Sequence, residues 1–121
     1  YSEVYFWVQG VFDLEYFAKM KNTEAIKVVA PTLAAYDKVL RENDIDYVGT
    51  RLHAGMFALQ HHRRTFILAL DNRVRSMKET YNLNSIERDD VDKLEEAINK
   101  PFDTNICISE DRIKEWKSQF V

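Results

Sequence analysis

Val4-Tyr5-Phe6-Trp7-Val8 is an unbroken run of β-branched and aromatic residues ended by Gln9-Gly10. Such a run, with no polar residue alternating through it, reads as a strand hidden on both faces, and strands of that kind belong to parallel sheets flanked by helices. The residues that follow fit that arrangement. Asp13 can cap a helix running to about Lys21, with Leu14, Phe17, Ala18 and Met20 at helical spacing. Ile26 to Ala30 reads as a second buried strand, after which Pro31 and Thr32 open a helix through Leu33, Tyr36, Val39 and Leu40. The alternation repeats with a short strand at Tyr47-Val48-Gly49, a helix over 51–61, a strand from Thr65 to Leu70 and a helix from Asn72 to about Tyr81. Four strand-helix units in succession predict an α/β fold with a doubly wound, Rossmann-like parallel sheet.

Beyond Asn82 the texture becomes acidic. A helix is expected over 89–99, a break at Lys100-Pro101, and a last amphipathic helix from about Glu110 whose Ile113, Trp116 and Phe120 fall on one side and should pack back on the sheet. Ile106-Cys107-Ile108 reads either as a short edge strand or as an anchor for the connection. No repeat, low-complexity tract or linker interrupts the chain, so residues 1–121 are expected to form one α/β domain.

Composition narrows the function classes. The 121 residues are 45% hydrophobic and 31% charged, a balance that excludes a disordered chain. Seventeen basic against twenty acidic residues give a net charge of -3, which argues against nucleic acid as a partner. The charge is unevenly spread. Residues 51–78 carry six bases (Arg51, Arg63, Arg64, Arg73, Arg75, Lys78), one acid (Asp71) and all three histidines, leaving eleven bases and nineteen acids elsewhere. A basic island in an acidic chain points to a small anion. The lone Cys107 fits a reducing, cytoplasmic location, and no apolar run reaches the roughly 18 residues a membrane helix needs, so no membrane insertion is expected. A chain that opens at Tyr1 and enters a strand three residues later reads as part of a longer protein.

In doubly wound sheets ligands meet the carboxyl ends of the strands, which singles out the loops Gln9–Asp13, 30–32, 49–53 and 71–73. In the third, Gly49 allows a tight turn, Thr50 can cap the helix, and Arg51 and His53 lie in its first turn, where free N–H groups and the helix dipole favour an anion. Arginine offers a bidentate fork to carboxylate or phosphate, and histidine exchanges a proton near neutral pH. The plainer reading is that both are surface or cap residues. Asp71 and Arg73 are open in the same way, as a helix cap with a surface arginine or as the second wall of an anion pocket. His61 and His62 suit the helix C-terminus better than a metal, and Arg63 and Arg64, at the opposite end of the next strand, read as solvated surface. With three glycines and no G-x-G-x-x-G or G-x-S-x-G, neither a dinucleotide cradle nor a hydrolase elbow is present. No metal site and no resident cofactor are expected.

The segment Tyr47-Val48-Gly49-Thr50-Arg51-Leu52-His53-Ala54-Gly55-Met56-Phe57-Ala58-Leu59, followed by a basic break, a strand and Leu70-Asp71-Asn72-Arg73, resembles the C-terminal half of the polysaccharide pyruvyl transferase family. The resemblance covers the four strand-helix units and is concentrated in R-L-H-A and the aspartate about twenty residues on. It implies a fold similar to one half of a two-domain GT-B glycosyltransferase. The implied activity transfers a pyruvyl group from phosphoenolpyruvate, the donor substrate, to a sugar hydroxyl of a bacterial surface polysaccharide. It assigns Arg51, His53 and the Leu52 backbone to the donor, with His53 as proton donor or phosphate partner and Arg51 as electrostatic clamp. Thr50, Asp71, Arg73, Gln9 and Asp13 complete the implied substrate-binding set. Many members carry lysine where this chain has Arg73, and the Gln9–Asp13 loop matches only loosely. The implied partners are a saccharide acceptor and an N-terminal domain of the same protein, whose removal would bare an apolar edge able to make a homodimer. Two other readings keep the same residues: half of a GT-B-type glycosyltransferase gripping a nucleotide-sugar, or a non-catalytic α/β interaction domain.

Overall fold

A computed structural model describes residues 1–120, which divide into two compact units, residues 1–44 and the chain from Ile45 onward. Parallel strands alternating with helices give a mixed α/β architecture in two small open sheets of two and three strands. The sequence predicts a single sheet. β3 (Tyr47–Gly49) pairs in parallel with β4 (Thr65–Ala69), Tyr47 opposite Thr65 and Gly49 opposite Ile67.

In the first unit β1 (Val4–Trp7) pairs with β2 (Ile26–Val29), Val4 opposite Ile26 and Trp7 opposite Val29. Side-chain alternation places Phe6 on one face of the pair and Trp7 on the other. Phe6 stacks on Phe17 of α1 (Val11–Phe17) at 4.7 Å, and Trp7 stacks on Tyr36 of α2 (Leu33–Glu42) at 4.0 Å, so the two helices cover opposite faces. Val8 and Val29 are buried, whereas Val4 and Val28 stay exposed, so the strands are not hidden on both faces throughout. α1 starts three residues earlier than expected and stops at Phe17, short of Lys21. Asp13 is not its cap but its third residue, and its carboxylate reaches back to accept the N–H groups of Gln9 and Gly10 at 2.9 and 2.8 Å. α2 opens at Thr32 as the sequence predicts, and the Thr32 hydroxyl caps it, accepting the Ala35 N–H at 3.1 Å.

The second unit orders its strands β3-β4-β5, all parallel, with β4 at Thr65–Ala69 and β5 at Ser85–Glu87. α3 (Leu52–Gln60) and α4 (Asn72–Tyr81) are the crossovers. Right-handed crossovers stepping in one direction put both helices on one face. The core agrees: Ile67 and Ala69 of β4 meet Leu52, Met56 and Leu59 of α3, Val74 and Met77 of α4, Leu83 and Ile106. Gly55 permits this approach, because a Cβ there would lie 2.7 Å from Ile67 Cδ1 and 3.2 Å from Tyr47 Cε1.

Strand β5 is absent from the sequence reading, since Ser-Ile-Glu is too short and polar to announce itself. The acidic helix expected after it is a 3₁₀ stretch at Arg88–Lys93 followed by α5 (Leu94–Asn99). Ile106-Cys107-Ile108 forms no strand and serves as an anchor: the Cys107 N–H donates to the Tyr81 carbonyl at 2.9 Å, and the Asn82 amide donates to the Asn105 carbonyl at 2.9 Å. The last helix, α6 (Glu110–Ser118), does not pack back on the sheet, for every residue in it is exposed.

Arg64 is likewise not solvated surface. Its guanidinium pairs with Asp46, donates to the Ile98 carbonyl at 2.8 Å and the Lys100 carbonyl at 3.3 Å, and lies 4.7 Å from the centre of the Phe102 ring. Phe102 in turn covers Phe66 at 4.4 Å, on the sheet face opposite α3 and α4. One planar fork thus satisfies carbonyls at the end of α5 and a half-buried carboxylate together.

Arg64→Ala should lower unfolding free energy by about 2–4 kcal/mol in urea titrations, because it strands Asp46 and two carbonyls. Arg64→Lys should recover less than half, since one ammonium cannot span these partners. Gly55→Ala should cost about 1–3 kcal/mol in the same assay through overpacking against Ile67.

Candidate functional site

β3 and β4 are adjacent and parallel, so the segments leaving them, 50–53 and 71–73, emerge at the same carboxyl edge of the three-stranded sheet. Thr50, Arg51, Leu52 and His53 form the start of α3. The N-cap is Arg51, in extended backbone at φ -92° and ψ 108°, and no side chain makes the cap hydrogen bond there. Thr50 therefore does not cap the helix as the sequence suggests. It stands one residue too early for its hydroxyl to take that role. Arg51 and His53 are exposed, while Leu52 turns into the core beside Ile67 and Ala69. The helix start thus presents a guanidinium and an imidazole to solvent at the positive end of the helix dipole, an arrangement suited to a small anion.

The backbone at this point is held from below. The Tyr47 hydroxyl donates to the Arg51 carbonyl at 3.2 Å, and that carbonyl also accepts the Gly55 N–H at 3.2 Å. A Cβ on Gly49 would lie 2.8 Å from Tyr47 Cζ, so Gly49 is needed for the space the Tyr47 ring fills. It has no positive φ, and the tight-turn role expected of it is not the one it plays. Burial pushes the Tyr47 phenol up to about 12, against the opposing pull of the Arg51 charge.

Asp71 caps α4, its carboxylate accepting the Arg73 N–H at 3.0 Å. The Arg73 guanidinium folds back on the same carboxylate through Nε at 3.1 Å and Nη2 at 2.7 Å. The Arg73 side-chain hydrogen bonds hold the Asp71 carboxyl below the ordinary aspartate range. For Arg73 to meet an anion, the guanidinium must turn away from Asp71. Arg75, which the sequence reading passes over, binds Glu87 through Nε at 3.0 Å and Asn72 through Nη1 at 3.0 Å, tying the start of α4 to the end of β5. Its i,i+12 spacing to Glu87 crosses a turn and leaves no local pattern to find.

Gln9 and Asp13 lie in the first unit, where the Asp13 carboxylate is engaged by two backbone N–H groups and locks the start of α1. His61 and His62 end α3: His61 meets the Phe57 ring edge-on at 4.8 Å, and His62 adopts the left-handed conformation at φ 56°. Among the described residues no group of three or more His, Cys, Asp or Glu side chains is placed to hold a metal ion, and no helix is long and apolar enough to cross a membrane.

The phenol of Tyr47 carries a pH signature. The folded state keeps this proton more tightly than an unfolded tyrosine, which titrates near 10, so its stabilisation is complete below about pH 10 and is lost as pH rises through about 12. Urea midpoints measured from pH 8 to 12 should fall across that window. In Tyr47→Phe the fall should be shallower, with a cost of about 1 kcal/mol at pH 8 for the lost hydrogen bond.

The chain matches no protein-family model, no curated protein and no solved structure.

Proposed function

We propose that the first turn of α3 binds phosphoenolpyruvate and that the chain is the donor-binding half, with a doubly wound GT-B-like sheet, of a transferase that moves a pyruvyl group onto a sugar hydroxyl. The observation that carries this reading is the start of α3. An exposed arginine stands at an N-cap that no side chain caps, with an exposed histidine two residues on, at the carboxyl edge of a parallel sheet. The R-L-H-A resemblance supplies the substrate.

The donor phosphate takes the helix N-terminus and the donor carboxylate takes the Arg51 fork. His53 delivers a proton to the terminal enol carbon, and positive character develops on the carbon that bears phosphate and carboxylate. A sugar hydroxyl attacks that carbon and returns a proton to His53, phosphate leaves with the C–O electron pair, and a second hydroxyl closes the ketal as its proton passes to the departing phosphate. Arg51, whose backbone carbonyl Tyr47 holds, stabilises the negative charge of the donor carboxylate and of the departing phosphate. The saccharide acceptor and the remaining wall of the cleft belong to a second domain of the same protein. A cytoplasmic setting, where such a donor is made, fits the single cysteine.

An amide NMR titration tests the reading. Phosphoenolpyruvate at millimolar concentration should shift signals in 49–54 and 71–73, inorganic phosphate should shift them less, and Arg51→Ala should lose at least about tenfold in affinity. A nucleoside diphosphate that outcompetes phosphoenolpyruvate would favour a glycosyltransferase. Equal shifts in the wild type and Arg51→Ala would remove α3 as the site.

A further inference from the structure

Helix α6 carries what it needs to form but has nothing to rest on. Ser109 caps it, its hydroxyl accepting the Arg112 N–H at 3.4 Å, with Glu110 and Asp111 in the first turn and Lys117 in the last. Nine residues remain a marginal helix in water even with these aids. Its apolar side is nonetheless bare, with Trp116 59% exposed and Phe120, in the turn just past its end, 70% exposed. The two rings meet edge to face at 4.8 Å, and Ile113 lies one turn before them on the same side.

The charges beside this stripe select a partner. In heptad terms Ile113 and Trp116 fall at a and d, and Phe120, in the turn that follows Ser118, continues the register to the next a. Glu110 and Lys117, seven residues apart, both fall at e, and Arg112 and Gln119 both fall at g. In a parallel self-pair the g position of one helix faces the following e of the other, which would set Arg112 against Lys117, two like charges. In an antiparallel self-pair e faces e and g faces g. Glu110 then meets the second copy's Lys117, twice by symmetry, and Arg112 meets Gln119 without conflict. Neither Glu110 nor Lys117 forms an ion pair within the chain among the described residues, whereas Lys114 pairs with Asp111 at 3.8 Å. The antiparallel arrangement also opposes the two helix dipoles favourably.

We infer that α6 is a self-association surface: two copies of this chain pair through antiparallel α6 helices, burying the Ile113, Trp116 and Phe120 stripe between two Glu110–Lys117 ion pairs. The contact is small, so the dimer is weak, with a dissociation constant on the order of 0.1 mM.

Sedimentation velocity on the full chain from about 0.01 to 1 mM, a range that brackets this constant, measures it. The wild type should show a monomer–dimer equilibrium, and Trp116→Ala should abolish it. Lys117→Glu and Glu110→Lys should each loosen it by roughly 3–10-fold, and the double exchange should restore it to within about twofold. No α6 residue is buried, so thermal unfolding of these variants should match the wild type. A monomer throughout, or a dimer indifferent to Trp116→Ala because another face or another helix partner holds it, would overturn the inference. So would tightening in Lys117→Glu, which marks parallel pairing, or a double exchange that fails to recover.

Discussion

The Tyr47 ring fills the space that Gly49 and Gly55 leave open, and its hydroxyl holds the carbonyl of Arg51. That lodgement fixes three things together. It sets the height of α3 above the sheet, since Gly55 meets Ile67 and Tyr47 at once. It also fixes the residue at which helical geometry begins, and with it the point from which Arg51 and His53 project. A side chain on either glycine would displace the ring and move the helix start, so the strand and the candidate site cannot vary independently.

Beside Tyr47, at the residue before β4, Arg64 does for the tail what Tyr47 does for α3. The chain after β5 makes apolar contacts through Phe102 on Phe66 and Ile106 on the core. Its other attachment is polar and directional: two carbonyls near the end of α5 and the Asp46 carboxylate converge on one guanidinium, with Phe102 stacked against it. Such a clasp needs the planar geometry of arginine.

The strongly periodic parts of the sequence announce their structure and the weakly periodic parts do not. Strands β1 to β4 and helices α2 to α4 are legible because runs such as Thr65–Ala69, and stripes such as Leu52, Met56 and Leu59, are long enough to show their period. Helix starts read well at Thr32 and Asp71, where the side chain is near its own backbone target, and are misread at Asp13 and Thr50, where a shift of three residues or of one changes the role. Strand β5 is invisible because its pairing comes from β4 and not from its own residues. Arg64 misleads for the same reason: a basic residue before a strand carries no mark of the carbonyls brought to it from more than thirty residues away. In the site the sequence reveals which residues stand at the sheet edge, and it hides Tyr47 beneath them and the Asp71–Arg73 pairing beside them.

Every ladder among the described residues is parallel, and that has a bearing on how the chain reaches its native state. None of these strands meets its partner through a tight hairpin; each pair must bring together segments separated by a whole helix. The entropy of closing those loops is spent before any ladder hydrogen bond is gained. The crossover helices shorten the effective distance when they form early, so α3, with its apolar stripe, assists assembly as well as packing. Folding of this small protein is therefore governed less by the strength of its strands than by the readiness of the helices that carry one strand to the next.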